Sequence, residues 1–126
     1  MSKEEAAENL EIAKGHLERV QGAWDTPTDW KDLCVYGFYC LEAAIKAASL
    51  YVGIIVKSTH PSKASAAQEL HDKHGLPDVE TLLRQLNQAR KAEAYGDIER
   101  PDLNAEETAT SIEEYVNAVE ELIEAD

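Results

Sequence analysis

Basic residues are scarce in this chain: 12 Lys and Arg face 25 Asp and Glu across 126 residues, for a formal charge of −13. A field of that sign repels a phosphate backbone, so nucleic acid is a disfavoured partner. A local basic pocket can still override the average, because charge acts over a Debye length of about 8–10 Å. Aromatic residues are few, with one Phe, two Trp and five Tyr, and Ala, Leu, Glu and Lys dominate. That composition excludes an extensive sheet and favours helix.

Other absences narrow the chemistry. The two cysteines, Cys34 and Cys40, are too few for a thiolate metal cage and fall in the most apolar segment, where they read as reduced core thiols. Neither Gly-x-Gly-x-x-Gly nor Gly-x-x-x-x-Gly-Lys-Ser/Thr occurs, so no common phosphate-cradling loop is present and no cofactor is expected. The first twenty residues hold no apolar core of leader length, which predicts a cytoplasmic protein. The longest apolar stretch, Val35 to Val56, is interrupted by Glu42 and Lys46 and reads as a buried helix, not a membrane span.

The length and the 44% hydrophobic content suit one domain over residues 1–126. Ser2 and Glu5 form a capping-box pattern, and Leu10, Ala13, Leu17, Val20 and Trp24 then recur at helical spacing. The segment Asp25 to Asp29, with Pro27, stops that first helix. A second helix is predicted from Asp29 to Val56, apolar on most of its circumference and therefore central in a bundle. Its small residues Gly37, Ala43, Ala44, Ala47, Ala48 and Ser49 allow close packing of a neighbouring helix or of a second copy. A short helix follows, ending at His74 before Gly75; a fourth carries Val79, Leu82, Leu83, Leu86 and Ala89. After a loop from Tyr95 to Leu103, Asn104 and Glu107 cap a last helix bearing Ile112, Tyr115, Val116, Val119 and Ile123. The expected fold is all-α, an up-and-down four-helix bundle with one additional short helix.

Few constellations suggest chemistry. His71 and His74 share a helical face but lack further ligands, and a helix C-terminus attracts histidine for its dipole alone, so no metal site is expected. A nucleophile would need an exposed turn, whereas both cysteines fall inside the most apolar helix, so none suggests itself. Glu42 and Lys46 stand at i and i+4 in an apolar helix, as an ion pair or as a pair facing a cleft. Arg90, Tyr95 and Asp97 gather where the fourth helix enters the loop. There a guanidinium can hold a phosphate or carboxylate, or Arg90 can simply brace Asp97.

The segments Leu10–Glu18, Phe38–Ala48, Thr59–His60 and Ala89–Asp97 together resemble the HEPN family, named for nucleotide binding in higher eukaryotes and prokaryotes. The matching positions are Glu42, Lys46 and Ala47 on the second helix, then Thr59 and His60, then Arg90 and Tyr95. The resemblance spans nearly the whole chain and implies a four-helix bundle with a short extra helix, usually a homodimer. Many members are ribonucleases with an arginine followed after four to six residues by histidine. None of Arg19, Arg84, Arg90 and Arg100 has that histidine, and Tyr95 takes the place after Arg90. A tyrosine with a pKa of about 10 is a poor general base near neutrality. The resemblance therefore implies a noncatalytic binding or regulatory module acting with a partner protein, such as a nucleotidyltransferase, or with a nucleotide. Arg90, Tyr95, Asp97, Glu42, Lys46 and His60 are its candidate ligand-binding residues and no residue is assigned a catalytic role. The alternative is a ribonuclease toxin with an altered site, in which Arg90, Tyr95 and His60 converge.

Overall fold

The computed structural model describes residues 2–25, 27–96 and 102–124, without the side chains of Ser2 and His60. Five helices account for the fold: α1 (Ser2–Ala23), α2 (Trp30–Val52), α3 (His60–His74), α4 (Glu80–Tyr95) and α5 (Ala105–Glu124). Local chemistry sets their ends. The Asp29 carboxylate accepts from the Asp32 amide at 3.0 Å to open α2, Thr59 accepts from Ser62 at 3.3 Å to open α3, and Asn104 accepts from Glu107 at 2.9 Å to open α5. Each bond satisfies an amide that the first helical turn leaves without a carbonyl.

One predicted boundary is corrected. The second helix ends at Val52, not Val56, because Gly53 takes the left-handed conformation (φ 87°) and its amide closes on the Ser49 carbonyl. Ile54 and Val56 still pack against the core, but from an extended connection, and Ile55 is left 92% exposed.

Helix α2 lies at the centre and packs against all four others. Its direction relative to α1 is antiparallel: the Cys40 thiol donates to the Ala13 carbonyl at 3.2 Å, while Tyr36, nearer the start of α2, meets Arg19, nearer the end of α1. Helix α5 runs antiparallel to α1 in turn, with Lys14 bonded to Glu120 and Gln21 to Glu113 at 2.9 Å. The short α3 packs on α2 and α4. Among the described helices α2 alone is long and apolar enough to cross a membrane, and most of that apolar window is covered by the rest of the bundle.

Of the small residues of α2, Gly37, Ala44, Ala47, Ala48 and Ser49 are buried within the bundle and Ala43 is half-buried. Both cysteines are buried thiols, and burial pushes the Cys40 thiol up to about 12, which leaves it inert.

Candidate functional site

Three polar residues of α4, Arg84, Asn87 and Lys91, recur at i, i+3 and i+7 and therefore share one face. They form the polar edge of a cleft of about 300 Å³, whose apolar wall is Phe38 from α2, Pro61 and Ala64 from α3, and Leu83 from α4. The wall is fixed from below: Phe38 is 1% exposed, and Ala64 and Leu83 are buried. Arg84 is paired with Glu80 one turn earlier, at 3.0 Å. An apolar wall with a few cations on its edge suits a ligand with a flat apolar body and an anionic end.

Arg90 stands behind this cleft, not in it. Its guanidinium lies 4.9 Å from the Phe38 ring centroid and donates through Nη2 to the Asn87 side-chain oxygen at 2.8 Å. Arg90 thus orients Asn87, while its Nε is buried without a hydrogen-bond partner among the described residues. Tyr95 is 70% exposed as the last residue of α4, and Asp97, with the proposed Arg90–Asp97 brace, lies outside the described residues. Glu42 is buried and pairs with Lys63 of α3 at 3.3 Å; Lys46, exposed on α2, lines a separate pocket with Lys57 and Lys63. The inter-helix pair forms because α3 brings Lys63 over Glu42, whereas Lys46 points to solvent. His60 begins α3, and its neighbour Thr59 caps that helix.

Charge is segregated along the chain. Residues 37–96 hold seven of the 12 bases and six of the 25 acids, whereas α5 alone carries seven glutamates and no base. The cleft therefore sits on the least acidic side of the sequence, where an anion meets less repulsion than the net charge implies. Among the described residues no group of three or more His, Cys, Asp or Glu is arranged to hold a metal. His71 bonds through Nδ1 to the Leu76 carbonyl at 2.8 Å, bracing the end of α3.

This all-helical arrangement can be set against known proteins. A profile described as the HEPN domain matches residues 2–125. The chain belongs to the HEPN family. Comparison with curated proteins and with solved structures returns no significant match. HEPN domains are nucleotide-binding or ribonuclease-type modules. In this HEPN domain the family-like positions split into two neighbourhoods either side of the first turn of α3. Arg90 lies on one side, against Phe38 and Asn87, and Glu42 and Lys46 lie on the other, beside Lys63.

Another part of the HEPN domain, between α1 and α2, carries a different cluster. His16 lies 5.9 Å from both the Tyr36 and the Tyr39 rings, Arg19 stacks over Tyr36, and Ile12 is 53% exposed nearby on α1. Loss of water around the ring, and then the Arg19 charge, hold the His16 imidazole below its usual value of 6.5. The unfolded chain then binds a proton that the folded chain resists. Above about pH 6.5 His16 contributes nothing to the difference, and as pH falls through that value the folded state loses stability until its own lower pKa is passed. Relative to His16→Gln, the wild type is expected to lose melting temperature between pH 7.5 and 5.5; a constant gap across that range would refute the assignment.

Proposed function

We propose that this HEPN domain is a noncatalytic binding module whose ligand is a nucleotide-like anion held in the α3–α4 cleft, and that it works as a homodimer with a partner protein such as a nucleotidyltransferase. The observation that carries the reading is the cleft's composition. The base of a nucleotide is flat and apolar on its faces and suits the Phe38, Pro61 and Leu83 wall, while its phosphates suit Arg84 and Lys91 with Asn87 as a neutral donor. Arg84 and Lys91 line the cleft and Arg90 stands behind it, while α5, with its seven glutamates, contributes no residue to its lining.

The noncatalytic part rests on two features. No arginine in the chain is followed by histidine at the ribonuclease spacing. Arg90, the family-like arginine, is committed to Asn87 and Phe38, and Tyr95 is an exposed phenol at the helix end. Arg90 acts here as a positioning residue for Asn87.

A thermal-unfolding series with ATP, other nucleotides and short RNA tests the proposal, since a ligand that binds the folded state alone raises its stability by mass action. ATP is expected to raise the melting temperature, and Arg84→Glu with Lys91→Glu to weaken binding by about 10–100-fold, the worth of one or two charge-assisted bonds. Absence of a shift with every nucleotide would leave the partner protein as the ligand. RNA cleavage by the wild type that disappears in Arg90→Ala would instead establish the ribonuclease alternative.

A further inference from the structure

A second pocket, of about 150 Å³, lies on the other side of the first turn of α3 and is lined by Lys46, Val56, Lys57, Ser58 and Lys63. Three of the 12 basic residues thus converge on one small space in a chain with 25 acids. Lys63 pairs with Glu42 at 3.3 Å, but among the described residues Lys46 and Lys57 make no ion pair. Ammonium groups brought together repel one another, so the placement must be imposed by the backbone. It is: the left-handed turn at Gly53 reverses the chain out of α2, the Lys57 amide donates to the Ser62 hydroxyl at 2.9 Å, and Thr59 caps α3.

We propose that this pocket is a phosphate site that takes the phosphate monoester group of a small molecule or of a lipid headgroup. Lys46 and Lys57 supply the uncompensated charge, Ser58 a hydroxyl donor and Lys63 a third cation shared with Glu42. Two free ammonium groups match the dianion of a monoester better than a singly charged carboxylate, and lysine binds phosphate as a point charge needing no planar geometry. The pocket is distinct from the nucleotide cleft. Pro61 and Ala64 face the cleft, and Lys63, between them in sequence, faces the lysines. The 92% exposed Ile55, two residues before Lys57, adds an apolar contact that a lipid source would use and a soluble source would not.

The test is residue-resolved. Amide shifts of the ¹⁵N-labelled protein are followed during titration with inorganic phosphate and, at equal ionic strength, with chloride. Saturable shifts at residues 46, 57, 58 and 63 with phosphate alone are expected, weakened about tenfold or more in Lys46→Gln with Lys57→Gln, the loss of charge-assisted bonds. Both lysines are exposed, so the variant is expected to fold. Cosedimentation with phosphatidate vesicles, set against phosphatidylcholine, separates the sources: binding lost in Ile55→Ser assigns the lipid headgroup, and phosphate shifts without vesicle binding assign a soluble monoester. Shifts that never saturate, that chloride reproduces, or that persist in the double variant overturn the site, as does vesicle binding without phosphate shifts. Shifts confined to residues 84, 87 and 91 speak for the cleft and against this pocket, so the two readings fail separately.

Discussion

Phe38→Ala is expected to cost about 3–5 kcal/mol of folding stability, a fall of roughly 10–20 °C in melting temperature. The ring is 1% exposed, it forms part of the cleft wall, and it carries the Arg90 guanidinium at 4.9 Å from its centroid. Removing it leaves a cavity between α2 and α4 and strips Arg90 of its aromatic face, leaving the bond to Asn87 to hold the guanidinium. Phe38→Leu separates the two effects. Leucine keeps most of the apolar volume but has no ring quadrupole, so its cost should be about 1–2 kcal/mol. A double-mutant cycle with Arg90→Met in urea denaturation should then give a coupling of about 0.5–1 kcal/mol. A loss below about 1 kcal/mol for Phe38→Ala would mean that the cleft wall does not depend on this ring.

The helices were legible from the chain because each is locally consistent. The Leu10, Ala13, Leu17 and Val20 stripe is buried as its spacing requires, and the Asn104–Glu107 pattern opens α5 as a cap. The end of α2 was less so, because Ile54, Ile55 and Val56 continue an apolar pattern that reports burial and not conformation; the glycine decides it. The site was legible only as a set of residues. Arg90 stands out beside Tyr95, but its seat over Phe38 is a contact between helices, which no local pattern encodes. Glu42 likewise has a sequence partner in Lys46 and a spatial one in Lys63. The Arg84, Asn87 and Lys91 stripe was available at helical spacing, yet a charged stripe reads first as a solvated face. Only the wall supplied by α2 and α3 makes it a cleft edge.

Net charge is likewise silent about position. A value of −13 argues against anionic ligands if it is spread evenly, but screening confines each charge to about 8–10 Å. Seven glutamates on α5 contribute much of the total, mostly on exposed positions, and lie on a helix that lines neither the α3–α4 cleft nor the lysine pocket. An acidic protein can therefore hold a cationic corner, and here the corner is built around the first turn of α3.

Gly37→Leu is expected to destabilise the protein by about 3 kcal/mol, at the upper end of the usual range for overpacking. A Cβ at residue 37 would stand 3.0 Å from the Ile112 Cδ1 atom of α5 and 3.6 Å from both Leu86 Cδ atoms of α4, so the glycine lies where three helices converge. Glycine within a helix ordinarily costs 0.5–1 kcal/mol relative to alanine, and its presence here is explained by space. Gly37→Ala balances that helical gain against the squeeze on one flexible side-chain end, so its net effect should stay within about 1 kcal/mol of zero. Leucine adds three further carbons that only a displacement of α4 or α5 can admit. Displacing α4 moves Leu83 and Asn87, which line the cleft on either side of Leu86, so nucleotide affinity should fall with stability in Gly37→Leu and hold in Gly37→Ala. Shortening the obstructing side chain in Gly37→Leu with Ile112→Ala should recover part of the lost stability in urea denaturation. If Gly37→Leu alone unfolds at the wild-type midpoint, the three helices are not closely packed at this point, and the rigid footing of the cleft goes with them.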